Sequence, residues 1–121
     1  MKKILVIEDD PFIRDISTIK LTEHGYTVVA ASDGATALQR LSETIFDVAL
    51  LDLDLPDISG LDILKHIRSE SGEKSIPVVV FSNKDDELLK NELVALGISG
   101  YFVKASTEFS ELCSLIDSLS N

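Results

Sequence analysis

Three consecutive carboxylates, Glu8, Asp9 and Asp10, follow the apolar run Ile4-Leu5-Val6-Ile7, and a second acidic pair, Asp52 and Asp54, follows Val48-Ala49-Leu50-Leu51. Like charges at the ends of two buried strands repel at short range. If those strands are parallel neighbours, both groups lie at one sheet edge, where a hard divalent cation with oxygen ligands would hold them together. Two further apolar runs end in other chemistry: Val78-Val79-Val80-Phe81 in Ser82 and Asn83, and Tyr101-Phe102-Val103 in Lys104. Acids, a hydroxyl and a lysine then converge from four strands. That set suits metal-assisted reaction on a phosphoryl group. Carboxylates hold the cation, one carboxylate is the nucleophile, and hydroxyl and ammonium bind phosphoryl oxygens.

Such convergence requires the right elements. Five short apolar runs recur, at Ile4–Ile7, Tyr26–Ala30, Val48–Leu51, Val78–Phe81 and Tyr101–Val103. Their β-branched and aromatic content without polar alternation predicts strands buried on both faces. Helical spacing fills the gaps. Phe12, Ile16 and Ile19 share a predicted face, as do Ala35, Leu38 and Leu41, then Leu61, Leu64 and Ile67, then Leu89, Leu93 and Leu96. Phe109, Leu112, Cys113, Ile116 and Leu119 complete the series. Asp10-Pro11 reads as an N-cap with proline at the first helical position. Gly25 and Gly97 stand where helices should stop. Strand and helix repeated five times predict an α/β domain, residues 1–121, with a parallel sheet covered on both faces. Ligands bind such sheets at the strand ends.

Composition narrows the function classes. The 121 residues suffice for one core. A formal net charge of -10 argues against direct nucleic-acid or anionic-membrane binding. No apolar run approaches the roughly 20 residues of a membrane span. A single cysteine, Cys113, rules out an internal disulfide and fits a reducing cytoplasm. The expectation is a soluble cytoplasmic domain.

In this arrangement the chain resembles the receiver domain of bacterial response regulators, the CheY-like, flavodoxin-like fold with strand order 2-1-3-4-5 and five helices on both faces. The resemblance covers essentially the whole chain. It rests on Glu8-Asp9-Asp10-Pro11 after the first strand, and on Asp52-Leu53-Asp54-Leu55-Pro56-Asp57-Ile58-Ser59-Gly60 after the third. Val79-Val80-Phe81-Ser82 and Gly100-Tyr101-Phe102-Val103-Lys104 complete it. It implies a phosphoacceptor switch in two-component signalling or a phosphorelay, not a turnover enzyme, although the domain assists its own phosphorylation and autodephosphorylation. Asp52 would accept the phosphoryl group from a histidine kinase or phosphotransfer protein. Asp9 and Asp52 would bind Mg²⁺ directly (Mn²⁺ could substitute), with Glu8 acting through water and Asp54 through its backbone carbonyl. Lys104 would pair with Asp52 and later with a phosphoryl oxygen. Ser82 and Tyr101 would form the switch pair. Helix four, strand five and helix five would form the output face, exposing Lys90, Asn91, Glu92, Tyr101 and Glu111.

Two residues depart from the family pattern. Ala105 replaces the proline usual after the lysine, so the Lys104–Ala105 bond is expected to be trans. Asn83 replaces the small residue usual after the switch hydroxyl, and with Lys84 it should rim the site and narrow its mouth. Lys84 and Asp54 should be able to pair across that mouth. Asp10 reads chiefly as a helix cap, Asp57 and Asp62 as surface acids, and Asp85-Asp86-Glu87 as the favourable first turn of the fourth helix. Three other functions remain open to the sequence. Asp52-Leu53-Asp54 also looks like the Asp-x-Asp motif of haloacid-dehalogenase phosphatases. A receiver-like interaction module that is never phosphorylated is another reading. A flavodoxin-like cofactor carrier is disfavoured, because carboxylates occupy the loop where a phosphate needs donors.

Overall fold

The computed structural model describes residues 2–69 and 76–119. Five strands alternate with five helices: β1 (Lys3–Ile7), α1 (Pro11–Glu23), β2 (Thr27–Ala31), α2 (Gly34–Glu43), β3 (Val48–Leu51), α3 (Gly60–Ser69), β4 (Val78–Ser82), α4 (Glu87–Leu96), β5 (Gly100–Val103) and α5 (Phe109–Ser118). All pairings are parallel and the order is β2-β1-β3-β4-β5. Every predicted run lands on a strand, with β2 displaced by one residue. The side chains of β1, β3 and β4 alternate between two cores. One joins Leu5, Ile7, Ala49, Leu51, Val78 and Val80 to Ala37, Ile63, Leu64, Ile67 and Leu93 of α2, α3 and α4. The other joins Ile4, Val6, Val48, Leu50, Val79 and Phe81 to Leu21 of α1 and to Leu112, Cys113 and Ile116 of α5.

Burial on both faces holds for the three central strands. It fails for β2 and β5, which are half-buried in large part because the strand order makes them edges. Capping follows the sequence closely. Asp10 caps α1 by accepting from the Phe12 and Ile13 amides, and Asp86 caps α4 through Leu88 and Leu89. Gly25 and Gly97, with φ of 108° and 98°, end α1 and α4 in a region that disfavours side chains.

The face of α1 departs from expectation. Phe12 and Ile19 are 72% and 52% exposed, and the stripe against the sheet is Ile13, Ser17 and Leu21. A serine at the centre of that stripe hides it from any search for apolar periodicity. In α2, likewise, Ala37 is buried and Ala35 exposed. Ser17 is buried, and its hydroxyl has no hydrogen-bond partner among the described residues. An unpaired buried hydroxyl is costly and serine is a weaker helix former than alanine. Ser17→Ala should therefore raise the unfolding free energy by about 1 kcal/mol. Urea denaturation with an unchanged slope is the check.

Candidate functional site

Register brings the chemistry together. Ile7 lies opposite Leu51 and Leu51 opposite Val80, while Ser82 lies opposite Val103. The next residues on β1 and β3 are Glu8 and Asp52, and the next on β5 is Lys104. The ladder continues past the strands: the Asp52 amide donates to Ile7 O at 3.0 Å and the Glu8 amide to Ala31 O at 3.0 Å. Both acids are held by backbone bonds at the end of a buried sheet. Glu8 is 3%, Asp52 4% and Ser82 0% exposed, whereas Asp9 stands in solvent.

The Lys104 ammonium enters this acidic site between two carboxylates. It lies 2.7 Å from Glu8 Oε1 and 3.4 Å from Asp52 Oδ2, so the Glu8 contact is the closer. Burial raises the pKa of Glu8; the Lys104 hydrogen bond opposes that rise and the Asp52 charge adds to it. For Lys104, burial acts to lower the pKa. Its bond to Glu8 and the charges of Asp52 and Glu8 outweigh that effect and raise it. Asp52 Oδ1 also accepts the Asp54 amide at 3.3 Å. Arg14 of α1 donates to Glu8 O and Asp9 O, both at 3.2 Å, and thereby holds the β1–α1 loop.

Oxygens of Glu8, Asp9 and Asp52 all lie within 4.8 Å of one another. Three carboxylates, two of them just past buried strand ends and one in the β1–α1 loop, are a donor set for a hard divalent cation, and the residues present fit one. The expected switch pair meets at Lys84. Ser82 Oγ accepts the Lys84 amide at 3.2 Å, and the Tyr101 hydroxyl donates to Lys84 O. Tyr101 is half-buried, with Lys90 Nζ 5.3 Å from its ring centroid. At the rim, Lys84 Nζ pairs with Asp54 Oδ1 at 2.8 Å, across the mouth as expected. Both side chains are well exposed, so the pair is worth only about 0–1 kcal/mol. Asn83 does not stand free at the rim: its Oδ1 accepts the Ala105 amide at 2.9 Å. The Lys104–Ala105 peptide is trans.

Asp57 is the residue that sequence reasoning missed. Far from being an idle surface acid, it accepts the Gly34 amide at 2.8 Å and the Ala35 amide at 2.9 Å, with the Ile58 amide at 2.9 Å on its own loop. Asp33 Oδ1 takes the Thr36 amide and Asp33 O takes that of Ala37. The amides of Gly34, Ala35 and Thr36, the first three of α2, are thus all met by side chains, two of them from the loop that follows Asp52, and Ala37 begins the intrahelical series. Only tertiary structure brings these segments together, so no local signal announces the contact. The loop is also closed at its base. The Gly60 amide donates to Leu53 O, and a Cβ on Gly60 would lie 2.6 Å from Asp52 O and 2.7 Å from Leu53 Cα. Any larger residue there would displace the backbone beside Asp52.

The Gly34 and Ala35 amides are the chief cause of the lowered pKa of Asp57. A depressed pKa stabilises the fold above the unfolded value, and that contribution is lost as pH falls through the folded one. Asp57→Asn should therefore lower stability at neutral pH and narrow its gap from wild type below the ordinary carboxylate range. Parallel stability curves across that range would exclude the link.

The family model described as the response regulator receiver domain matches residues 4–117. The two-component response regulator PhoP of Pseudomonas aeruginosa is 37% identical over 117 residues, covering 97% of this chain and 51% of the relative. The chain spans about half the length of the curated relatives it matches. Among solved structures, the Vibrio cholerae chemotaxis protein CheY4 superposes with a TM-score of 0.89 at 28% identity, covering 99% of each chain. Thermotoga maritima TrrA, determined in complex with Mg(2+)-BeF, gives 0.86 at 30% identity, covering 99% of this chain and all of that one. Sheet order, strand-end chemistry and family match agree, and the chain belongs to the response regulator receiver family.

Proposed function

We propose that residues 1–121 form a single receiver unit in which Asp52 accepts a phosphoryl group from a histidine kinase or phosphotransfer protein. One observation carries the reading: a buried Asp52 has the Lys104 ammonium 3.4 Å away and lies at the same sheet edge as the buried Ser82. A carboxylate oxygen of Asp52 forms the new P–O bond as the P–N bond of the donor's phosphohistidine breaks, and the electron pair stays on the imidazole nitrogen. Lys104 and Ser82 bind the phosphoryl oxygens. Glu8, Asp9 and Asp52, with the Asp54 carbonyl, would hold Mg²⁺ or, as a substitute, Mn²⁺. When bound, the ion supplies charge neutralisation for the acceptor and the incoming oxygens. The same groups later admit water for autodephosphorylation. The setting proposed is the cytoplasm, and among the described residues no helix is long and apolar enough to cross a membrane. The test is incubation with Mg²⁺ and acetyl phosphate followed by intact mass. A gain of one phosphoryl group on Asp52 is expected.

The signal leaves through α4, β5 and α5, where Lys90, Asn91, Glu92 and Glu111 are exposed beside half-buried Tyr101. A phosphoryl group adds up to roughly two charges and three acceptor oxygens next to Ser82. It shifts the domain only through differential contact with two conformations. Ser82→Ala should still accept phosphate while losing most of the phosphorylation-dependent NMR shift change around Tyr101. Equal shifts in variant and wild type would break the coupling.

The phosphatase alternative is not favoured. Asp54, the general acid it needs, is exposed and engaged by Lys84 at the rim. Turnover of p-nitrophenyl phosphate, lost in Asp54→Asn, would revive it.

A further inference from the structure

Two of the chain's unusual residues, far apart in sequence, touch. Asn83 follows Ser82 at the end of β4, Ala105 follows Lys104 at the end of β5, and the Asn83 Oδ1 to Ala105 amide distance is 2.9 Å. Neither residue makes this bond alone. Proline at 105 would have no N–H to donate. A small apolar residue at 83 would have no side-chain oxygen to accept it.

The bond meets a local need. Lys104–Ser106 form a single 3₁₀ turn, and Val103, at its N-cap, offers no side-chain hydrogen bond. The first amides of such a turn lack partners within it. Asn83 serves one of them from just past the end of β4. The Thr107 hydroxyl donates to Val103 O at 2.7 Å and closes the far side. The neighbouring Lys84 reaches the other way, to Asp54 at 2.8 Å, and its carbonyl receives the Tyr101 hydroxyl. Residues 83 and 84 therefore tie the turn after Lys104, the loop after Asp52 and the aromatic of β5 to the segment that follows Ser82.

We infer that Asn83 is a positioning residue: its side chain clasps the Ala105 amide and fixes the Lys104 backbone in register with Ser82, so that hydroxyl and ammonium meet one phosphoryl group together. This deepens the receiver reading and rests on it. The clasp takes a role that the sequence assigned to bulk. As a clasp, Asn83 promotes phosphorylation. As a wall at the mouth, it would retard it.

The signs differ, so a double-mutant cycle decides. Asn83→Ala, Ala105→Pro and the double variant are compared with wild type. One measurement is the acetyl phosphate reaction rate with Mg²⁺, read by intact mass. The other is amide exchange at Ala105 in the unphosphorylated, metal-free protein, for wild type and Asn83→Ala. Asn83→Ala should speed Ala105 exchange and slow phosphorylation, each by about three- to tenfold, the scale of one hydrogen bond. Ala105→Pro should slow phosphorylation similarly, and the double variant no more than the slower single. Asn83→Asp, which keeps an oxygen acceptor, should restore Ala105 protection. Unchanged exchange at Ala105 in Asn83→Ala overturns the clasp, as do multiplicative rate losses or faster phosphorylation in that variant. If wild type gains no phosphoryl mass, the receiver reading fails. The exchange comparison still confirms or refutes the bond on its own, because it needs neither phosphate nor metal.

Discussion

Asp52→Asn should abolish the phosphoryl mass gain completely, while Asp54→Asn and Asp57→Asn retain it. The asymmetry follows from environment. Asp52 sits at the end of a central strand, its amide bonded to Ile7 O and its carboxylate within reach of Lys104. Lysine so placed offsets the charge that accumulates as the phosphoryl group approaches. Asp54 is exposed and turned toward Lys84, and Asp57 uses its carboxylate on the amides of Gly34 and Ala35. Neither meets the ammonium. Asparagine at 52 keeps the shape but cannot act as an anionic nucleophile, so its variant should fold and fail only in chemistry. A circular dichroism spectrum and melting curve close to wild type would establish that the loss is chemical. Mass gain persisting in Asp52→Asn would move the acceptor to another residue.

Much of this architecture was legible in the sequence because burial and capping are local signals. Val48–Leu51 and Val78–Phe81 read as strands buried on both faces from composition alone, and Asp10 and Gly97 mark helix ends by their own conformational preferences. The strand-end chemistry was legible for the same reason: once the strands are parallel, Glu8, Asp52, Ser82 and Lys104 have only one edge to occupy. What escaped depends on partners distant in the chain. Ser17 lies in the core despite its hydroxyl, so the apolar count points to the face of Phe12 and Ile19, both of which are exposed. Asp57 caps a helix 22 residues upstream. Glu8 was expected to act on a cation through water, yet it also makes the shorter of the two Lys104 contacts. Asn83 was expected to narrow the mouth by bulk, and its oxygen also holds the Ala105 amide. For Asp57, Glu8 and Asn83 the residue type was noticed and its partner was not, because hydrogen-bond partners across a fold leave no periodic trace in sequence.

Added Mg²⁺ should stabilise the wild-type fold strongly and Asp9→Asn much less. Glu8, Asp9 and Asp52 lie close enough to share one ion, and their repulsion is only partly met by Lys104, which engages Glu8 and Asp52. Asp9 is the exception. It is exposed, and its carboxylate makes no ion pair among the described residues, although Arg14 holds its backbone carbonyl. A ligand already facing solvent loses little hydration before binding and gives up no protein partner, so Asp9 should contribute directly to affinity. An ion that binds only the folded state at a hundred times its dissociation constant adds about 2.7 kcal/mol, a shift of several degrees in melting temperature at this chain length. Asp9→Asn keeps the side-chain volume and one oxygen but removes a charge, so most of that shift should vanish at the same Mg²⁺ concentration. Without Mg²⁺ the variant should be as stable as wild type or slightly more so, because one member of a repelling group has gone. Opposite signs with and without the ion separate a ligand from a structural acid. An equal Mg²⁺-induced shift in both proteins would remove Asp9 from the cation site.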